Sequence, residues 1–170
     1  MVTVRYLQKT DFDQCWNIFY KVFCRHEDEA FLNAWIHYNP ALSYCVVNES
    51  ETNIEGFLLS TNAKNSIHIE FIGIDSNSQG KGLGTILLHS LLDRCKRENL
   101  SVSLVPSNSD PKLIRWYEKH GFQRTNTYTP IGEEIMIWQE VSINQYLNNK
   151  PPLPPYTRSM LYVSAHMYTV

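Results

Sequence analysis

The segment Ile72-Gly73-Ile74-Asp75-Ser76-Asn77-Ser78-Gln79-Gly80-Lys81-Gly82-Leu83-Gly84 constrains the fold more than any other stretch of the chain. An apolar run ends at Ile74, a turn rich in glycine and polar residues follows, and Leu83, Ile86, Leu87 and Leu91 then recur at helical spacing. A strand therefore leads through a glycine-rich turn into a helix. Glycines bring backbone N–H groups within hydrogen-bonding range of a phosphate, and the positive end of the following helix favours the negative charge. Two nucleotide-binding patterns fail here. A Walker-type loop needs Ser or Thr after its lysine, but Lys81 is followed by Gly82. The dinucleotide pattern needs a third glycine where Thr85 stands. A flexible turn without a ligand is the bland alternative.

The elements around this segment read as a mixed α/β sheet. Residues 2–7 alternate like a half-buried strand, and Thr10 with Asp13 has the form of a cap opening a helix whose apolar face is Phe12, Cys15, Trp16, Phe19, Val22 and Phe23. A second helix is predicted over 27–37, ending near Asn39-Pro40. Strands over 43–47, 54–61 and 66–74 form an antiparallel meander across two turn-rich joints. The helix over 82–97 ends in basic residues that suit its negative pole, and a short strand over 101–105 follows. Asp110-Pro111 opens a helix over 111–120 that Gly121 terminates. A hairpin over 122–128 and 134–141 closes the order, with the helices packed on the sheet faces.

Composition sets limits on partners. The 170 residues fit one globular domain, and a formal net charge of -2 lacks the basic excess behind non-specific nucleic-acid binding. Direct nucleic-acid binding is not expected. No stretch reaches the roughly 20 apolar residues of a membrane span, and the first ten residues do not read as a targeting segment, so a cytoplasmic location is expected. Cys15, Cys24, Cys45 and Cys95 lack metal-ligand spacing and read as reduced thiols, so no metal is expected.

In Gln79-Gly80-Lys81-Gly82-Leu83-Gly84 the chain resembles the GNAT superfamily of acetyl-CoA-dependent N-acyltransferases, whose hallmark is Gln/Arg-x-x-Gly-x-Gly/Ala after a strand. A second segment about 30 residues on, Leu113-Ile114-Arg115-Trp116-Tyr117-Glu118-Lys119-His120-Gly121-Phe122, is similar to the family's leucine/tyrosine helix ending in Gly-Phe. The resemblance covers the element order to about residue 141. It implies a mostly antiparallel central sheet with helices on both faces. It also implies that the amides of Gly80, Lys81, Gly82, Leu83, Gly84 and Thr85, with Gln79, hold the pyrophosphate of acetyl-CoA. The strand ending at Ile74 is implied to splay from residues 101–105, so that backbone groups of Ile72 and Ile74 meet the pantetheine arm and the thioester oxygen. The family commonly has Asn seven residues before the tyrosine; here that position is Asp110, with Asn108 two residues earlier.

The implied acceptor is a primary amine. Deprotonating an alkyl ammonium of pKa near 10.4 at pH 7 costs roughly 4.6 kcal/mol, so a general base is useful. Simple strand alternation puts His68, Glu70, Ile72 and Ile74 on one face. The family places a catalytic carboxylate or a histidine pair at positions corresponding to Glu70 and His68; a solvated polar strand face is the alternative. Tyr117 resembles the family's general acid, against a reading as helix-face bulk beside Trp116. Glu27, Asp28 and Glu29 in a helical first turn, and Glu133 and Glu134 in the closing hairpin, lie where acidic side chains favour a cationic acceptor. Dipole complementation or plain solvation explains the same acids equally well. A small cationic amine such as a polyamine is expected, with a protein lysine or N-terminus as the alternative.

From residue 148 the composition changes to Pro151-Pro152-Leu153-Pro154-Pro155-Tyr156, which favours extended polyproline conformation. The expected division is an acetyltransferase domain over 1–147 and a proline-rich arm over 148–170. Alternation over 160–170 suits strand addition to an edge and motivates a homodimer. The reading from a different class is a catalytically silent acyl-CoA-binding adaptor that uses its proline-rich tail.

Overall fold

A computed structural model describes residues 2–23, 27–50, 52–64, 66–107 and 110–139. Seven strands form one sheet: β1 (Thr3–Tyr6), β2 (Tyr44–Val47), β3 (Ile54–Ala63), β4 (Ser66–Ile74), β5 (Ser101–Leu104), β6 (Gln123–Tyr128) and β7 (Glu134–Trp138). Their order is β1-β2-β3-β4-β5-β7-β6, and the β4–β5 pair is parallel while the other pairs are antiparallel. The expected meander is β2-β3-β4, and the parallel pair is the crossover made by α3 (Leu83–Glu98).

Helices cover both faces. On one side, α3 and α4 (Pro111–Lys119) bury Leu87, Leu88, Leu91, Leu113 and Trp116 against Val46, Leu58, Ile69, Ile72, Ile74, Val102 and Leu104. On the other, α1 (Phe12–Val22) and α2 (Asp28–His37) bury Phe19, Phe31 and Trp35 against Cys45, Phe57, Leu59 and Phe71. Burial on both faces explains why β2, β3 and β4 are nearly continuous in apolar residues. Among the described residues no helix is long and apolar enough to cross a membrane.

The start of α1 departs from the sequence expectation. Thr10 is not its cap; a short 3-10 turn, Lys9–Asp11, precedes the helix and carries a reciprocal capping box between Gln8 and Asp11. The reason is an ion pair outside the local pattern. Arg5 on β1 donates to both oxygens of the buried Asp11 carboxylate, at 2.8 and 2.9 Å, and the Gln8 N–H donates to the same group at 2.8 Å. By contrast, Asp110 caps α4 as expected, its carboxylate accepting from the Lys112 N–H at 2.9 Å with Pro111 in the first turn. The arm and edge-strand expectations for 148–170 lie outside the described residues.

Candidate functional site

The turn after β4 is held from beneath and left open above. Gln79 Nε2 donates to the Ile74 carbonyl at 3.3 Å, Asp75 Oδ1 accepts from the Asn77 N–H at 3.0 Å, and Lys21 pairs with Asp75 at 3.1 Å. Gly80 and Gly82 both have φ of +76°, and nothing lies within 4 Å of where a Cβ would sit on either. Glycine is therefore required by backbone conformation and not by crowding. The first intrahelical bond of α3 runs from the Ile86 N–H to the Gly82 carbonyl at 3.1 Å, so the N–H groups of Gly82, Leu83, Gly84 and Thr85 have no intrahelical partner. Lys81 lies against Glu55 at 3.6 Å and Ser78 Oγ at 3.4 Å. This is a concentrated set of donors at the positive end of a 16-residue helix.

Beside the turn the sheet opens. β4 and β5 pair over Ser66↔Ser101, Ile67↔Val102 and His68↔Ser103, and among the described residues the ladder stops there. From Ile69 to Ile74, β4 is paired with β3 alone. Tyr117 on α4 is completely buried against Trp116 and Phe122, and its hydroxyl has no hydrogen-bond partner among the described residues. Burial pushes its pKa up, so it stays protonated. Asp110 is exposed and occupied as a cap, and Asn108 lies outside the described residues.

The placement of His68 and Glu70 corrects the alternation argument. The register runs Leu59↔Phe71 and then Ser60↔Ile69, which leaves Glu70 as an extra residue on β4. This β-bulge reverses the parity of the strand. Ile67 and Ile69 share the α3–α4 core with Ile72 and Ile74, whereas Phe71 belongs to the α1–α2 core. Glu70 joins Thr61 on β3, the cross-strand partner of His68. His68 and Glu70 thus occupy the sheet face opposite to Ile72 and Ile74. The fork between β4 and β5 connects a donor-lined face to a face bearing two titratable groups.

Both groups are perturbed by burial. Glu70 is 2% exposed, and desolvation pushes its carboxyl up to about 7 against the opposing hydrogen bond from Thr61. Its Oε1 accepts from Thr61 Oγ1 at 2.5 Å, while Oε2 is buried without a partner among the described residues. His68 is equally buried and pushed down to about 4, so its imidazole is neutral at physiological pH, and its Nδ1 shares a hydrogen bond with Ser103 Oγ at 3.0 Å. Thr61 and Ser103 were not singled out from the sequence. The available signal was slight: Ser103 is a lone polar residue between Val102 and Leu104, and Thr61 ends an apolar run.

The acidic residues separate. Glu134 is buried and satisfied, its carboxylate bound by Arg124 Nε at 2.7 Å and by the Asn126 N–H at 2.9 Å. It braces the β6–β7 pair. Glu133 is partly buried, with its N–H donating to Thr129 Oγ1 at 3.1 Å. Glu27 is buried and occupies the N-cap position of α2 without a side-chain capping bond, and Asp28 in the first turn of α2 has a buried Oδ1 without a hydrogen-bond partner among the described residues. No group of three or more potential metal ligands occurs among the described residues.

Comparisons with known proteins agree with this architecture. An uncharacterized N-acetyltransferase, ycf52, of Porphyra purpurea is 27% identical over 103 residues, which is 60% of this chain and 56% of that protein. The chain spans about half the length of the curated relatives it matches. The ribosomal-protein-S18-alanine N-acetyltransferase of Escherichia coli superposes with a TM-score of 0.66 at 22% identity, covering 84% of this chain and 96% of that one. Naa50 of Arabidopsis thaliana, solved with a bisubstrate analogue CoA-Ac-MVNAL, superposes with a TM-score of 0.65 at 18% identity, covering 80% and 97%. A family model for the acetyltransferase (GNAT) family matches residues 9–122, two thirds of the sequence, and with it the seven-stranded forked sheet and glycine turn resolve into one assignment: the chain belongs to the GNAT acetyltransferase family.

Proposed function

We propose that the protein is an N-acetyltransferase that moves the acetyl group of acetyl-CoA to a primary amine by direct attack in a ternary complex. The observation that carries this reading is the Glu70 carboxyl, buried in a bulge beside the end of the β4–β5 ladder, pushed up to about 7 by burial, with one oxygen unpartnered among the described residues. The residues present fit the acyl donor. The N–H groups of Gly82, Leu83, Gly84 and Thr85, without intrahelical partners, suit a pyrophosphate, and the unpaired side of β4 between Ile72 and Ile74 suits the amide-bearing pantetheine arm. When bound, acetyl-CoA supplies an acetyl group activated as a thioester.

The chain's own residues then handle protons and charge. Glu70 Oε2 accepts the proton of the acceptor amine, directly or through water, and neutral His68 completes the polar face without competing for that proton. The Ile74 N–H donates to the oxygen on which charge develops, a contribution commonly worth about 3 to 4 kcal/mol. Tyr117 supplies a proton to the departing thiolate. Its share is smaller, because a thiol of pKa about 8.5 is already a fair leaving group.

The α-amine of a peptide is the acceptor we favour. An α-amine of pKa about 7.7 to 8.0 is nearly matched to a base titrating at about 7, whereas an alkylamine lies three units higher. Engagement of Glu134 by Arg124 also removes one acid from the expected cation-binding wall. The two superposed enzymes, a ribosomal-protein-S18-alanine N-acetyltransferase and Naa50 solved with the bisubstrate analogue CoA-Ac-MVNAL, support the same reading. A small cationic amine is kept as a second reading by Asp28, whose buried Oδ1 is unpartnered among the described residues.

The test is a panel assayed with acetyl-CoA: peptides with free N-termini, N-blocked lysine peptides, polyamines and arylalkylamines. Turnover confined to free N-termini is expected. Turnover confined to polyamines would favour the second reading, and acetyl-CoA binding without turnover on any amine would leave a silent adaptor. Glu70→Gln should lower kcat/KM by about 100-fold or more, and Tyr117→Phe by less.

A further inference from the structure

The side chain that Glu70 leans on lies on a different strand and has been given no role. We propose that Thr61 is a positioning residue for acetyl transfer, holding Oε1 of Glu70 so that Oε2 alone is presented to the acceptor. The proposal rests on the reading of Glu70 as the proton acceptor.

The bulge creates the need. As the extra residue on β4, Glu70 has no Cα partner on β3, so no cross-strand neighbour lies directly opposite to pack its side chain. A buried carboxylate carries about four acceptor sites, and those left empty are costly in a low-dielectric interior. Thr61 fills one of them, at 2.5 Å, from the residue that pairs with His68 across the ladder. Thr61 is itself tied down: it is 5% exposed, and its backbone bridges to Tyr38, whose hydroxyl donates to the Leu7 carbonyl at 3.3 Å. Being β-branched, Thr61 has few rotamers to choose from, which keeps its hydroxyl aimed at the carboxyl.

Burial raises the proton affinity of the Glu70 carboxyl and the Thr61 hydrogen bond lowers it. His68, two residues along β4 and itself neutral, spends Nδ1 on Ser103 of β5. Among the described residues no cation pairs with Glu70, and the Thr61 hydroxyl is the group that holds it. The same bond fixes which oxygen is free. Without it both oxygens are unpaired, the carboxyl binds its proton more tightly, and it can rotate between two equivalent presentations.

The decisive experiment compares wild type with Thr61→Val, which keeps the shape and removes the hydroxyl, and Thr61→Ser, which keeps the hydroxyl. Each is followed by 13C NMR titration of the Glu70 carboxyl and by the pH profile of kcat/KM with acetyl-CoA and the best acceptor of the panel. In Thr61→Val the carboxyl midpoint and the half-maximal pH of the rate should both rise by about one, because a hydrogen bond to a charged group is worth about 1.5 to 3 kcal/mol. The rate at pH 7 should fall about fivefold and recover by pH 9, with KM for acetyl-CoA unchanged. Thr61→Ser should restore both midpoints. A carboxyl midpoint that does not move in Thr61→Val overturns the role of Thr61. A carboxyl midpoint that moves while the rate profile stays put overturns the reading of Glu70 as the proton acceptor, and with it any catalytic consequence of Thr61. A general folding defect would lower the rate at every pH and would not be repaired at pH 9.

Discussion

Burial moves Glu70 and His68 in opposite directions, to about 7 and about 4, and the two shifts shape stability as well as chemistry. For Glu70 the folded value is raised above the ordinary 4.5, so its contribution is fully present below about pH 4.5 and is lost as pH rises through about 7. For His68 the folded value is depressed from 6.5, so its contribution is present above about pH 6.5 and lost as pH falls through about 4. The buried Glu70 carboxylate thus destabilises the fold above about pH 7, the range in which the proposed base would work. Glu70→Gln should be more stable than wild type at pH 8.5 by up to about 3 kcal/mol and close to wild type at pH 5, by urea denaturation at both values. An equal difference at the two pH values would sink the linkage. His68, Glu70 and Tyr117 were all legible in the sequence as polar residues at informative positions. Thr61 was not, because its importance comes from a contact between strands that no local pattern encodes.

At the scale of elements, the glycine turn and the bulge show opposite degrees of legibility. The turn announces itself, because Gly80 and Gly82 adopt a φ of +76° that other L-residues enter only with strain. Gly82→Ala should therefore cost about 1 to 2 kcal/mol, seen as a fall of a few degrees in melting temperature together with a rise in KM for acetyl-CoA. Gly73→Ala should lower the melting temperature without raising that KM. A Cβ there would sit 2.8 Å from Phe57 Cε1 and 3.1 Å from Phe23 Cε2, so the melting temperature should drop by several degrees in a thermal scan. The bulge at Glu70 has no such signature. Alternation from Ile67 to Ile74 reads as an unbroken strand, and with both faces buried no misplaced polar residue betrays the change of parity. The cap of α1 was misread for a related reason: Asp11 is drawn into a pair with Arg5 on β1, a partner outside the helix.

Across the whole molecule, the sheet separates two apolar cores and the proposed chemistry sits where it parts. The α1–α2 core is unusually aromatic, and Phe31 is its hub, with its ring 4.4 Å from Phe19, 5.5 Å from Phe71, 5.6 Å from Trp16 and 5.8 Å from Phe57. Phe31→Ala should lower unfolding stability by about 3 to 5 kcal/mol, read from the denaturation midpoint, whereas Phe31→Leu should lose much less. The sequence by itself determined the element order, the two helix-covered faces and the position of the glycine turn, because periodicity, capping residues and glycine act within a few neighbours along the chain. Only the tertiary structure decided which face of β4 carries His68 and Glu70, that Thr61 holds the carboxyl, and that Glu134 is spent on Arg124. Register, burial and pairing between distant strands set those features, and they exist only once the sheet has closed.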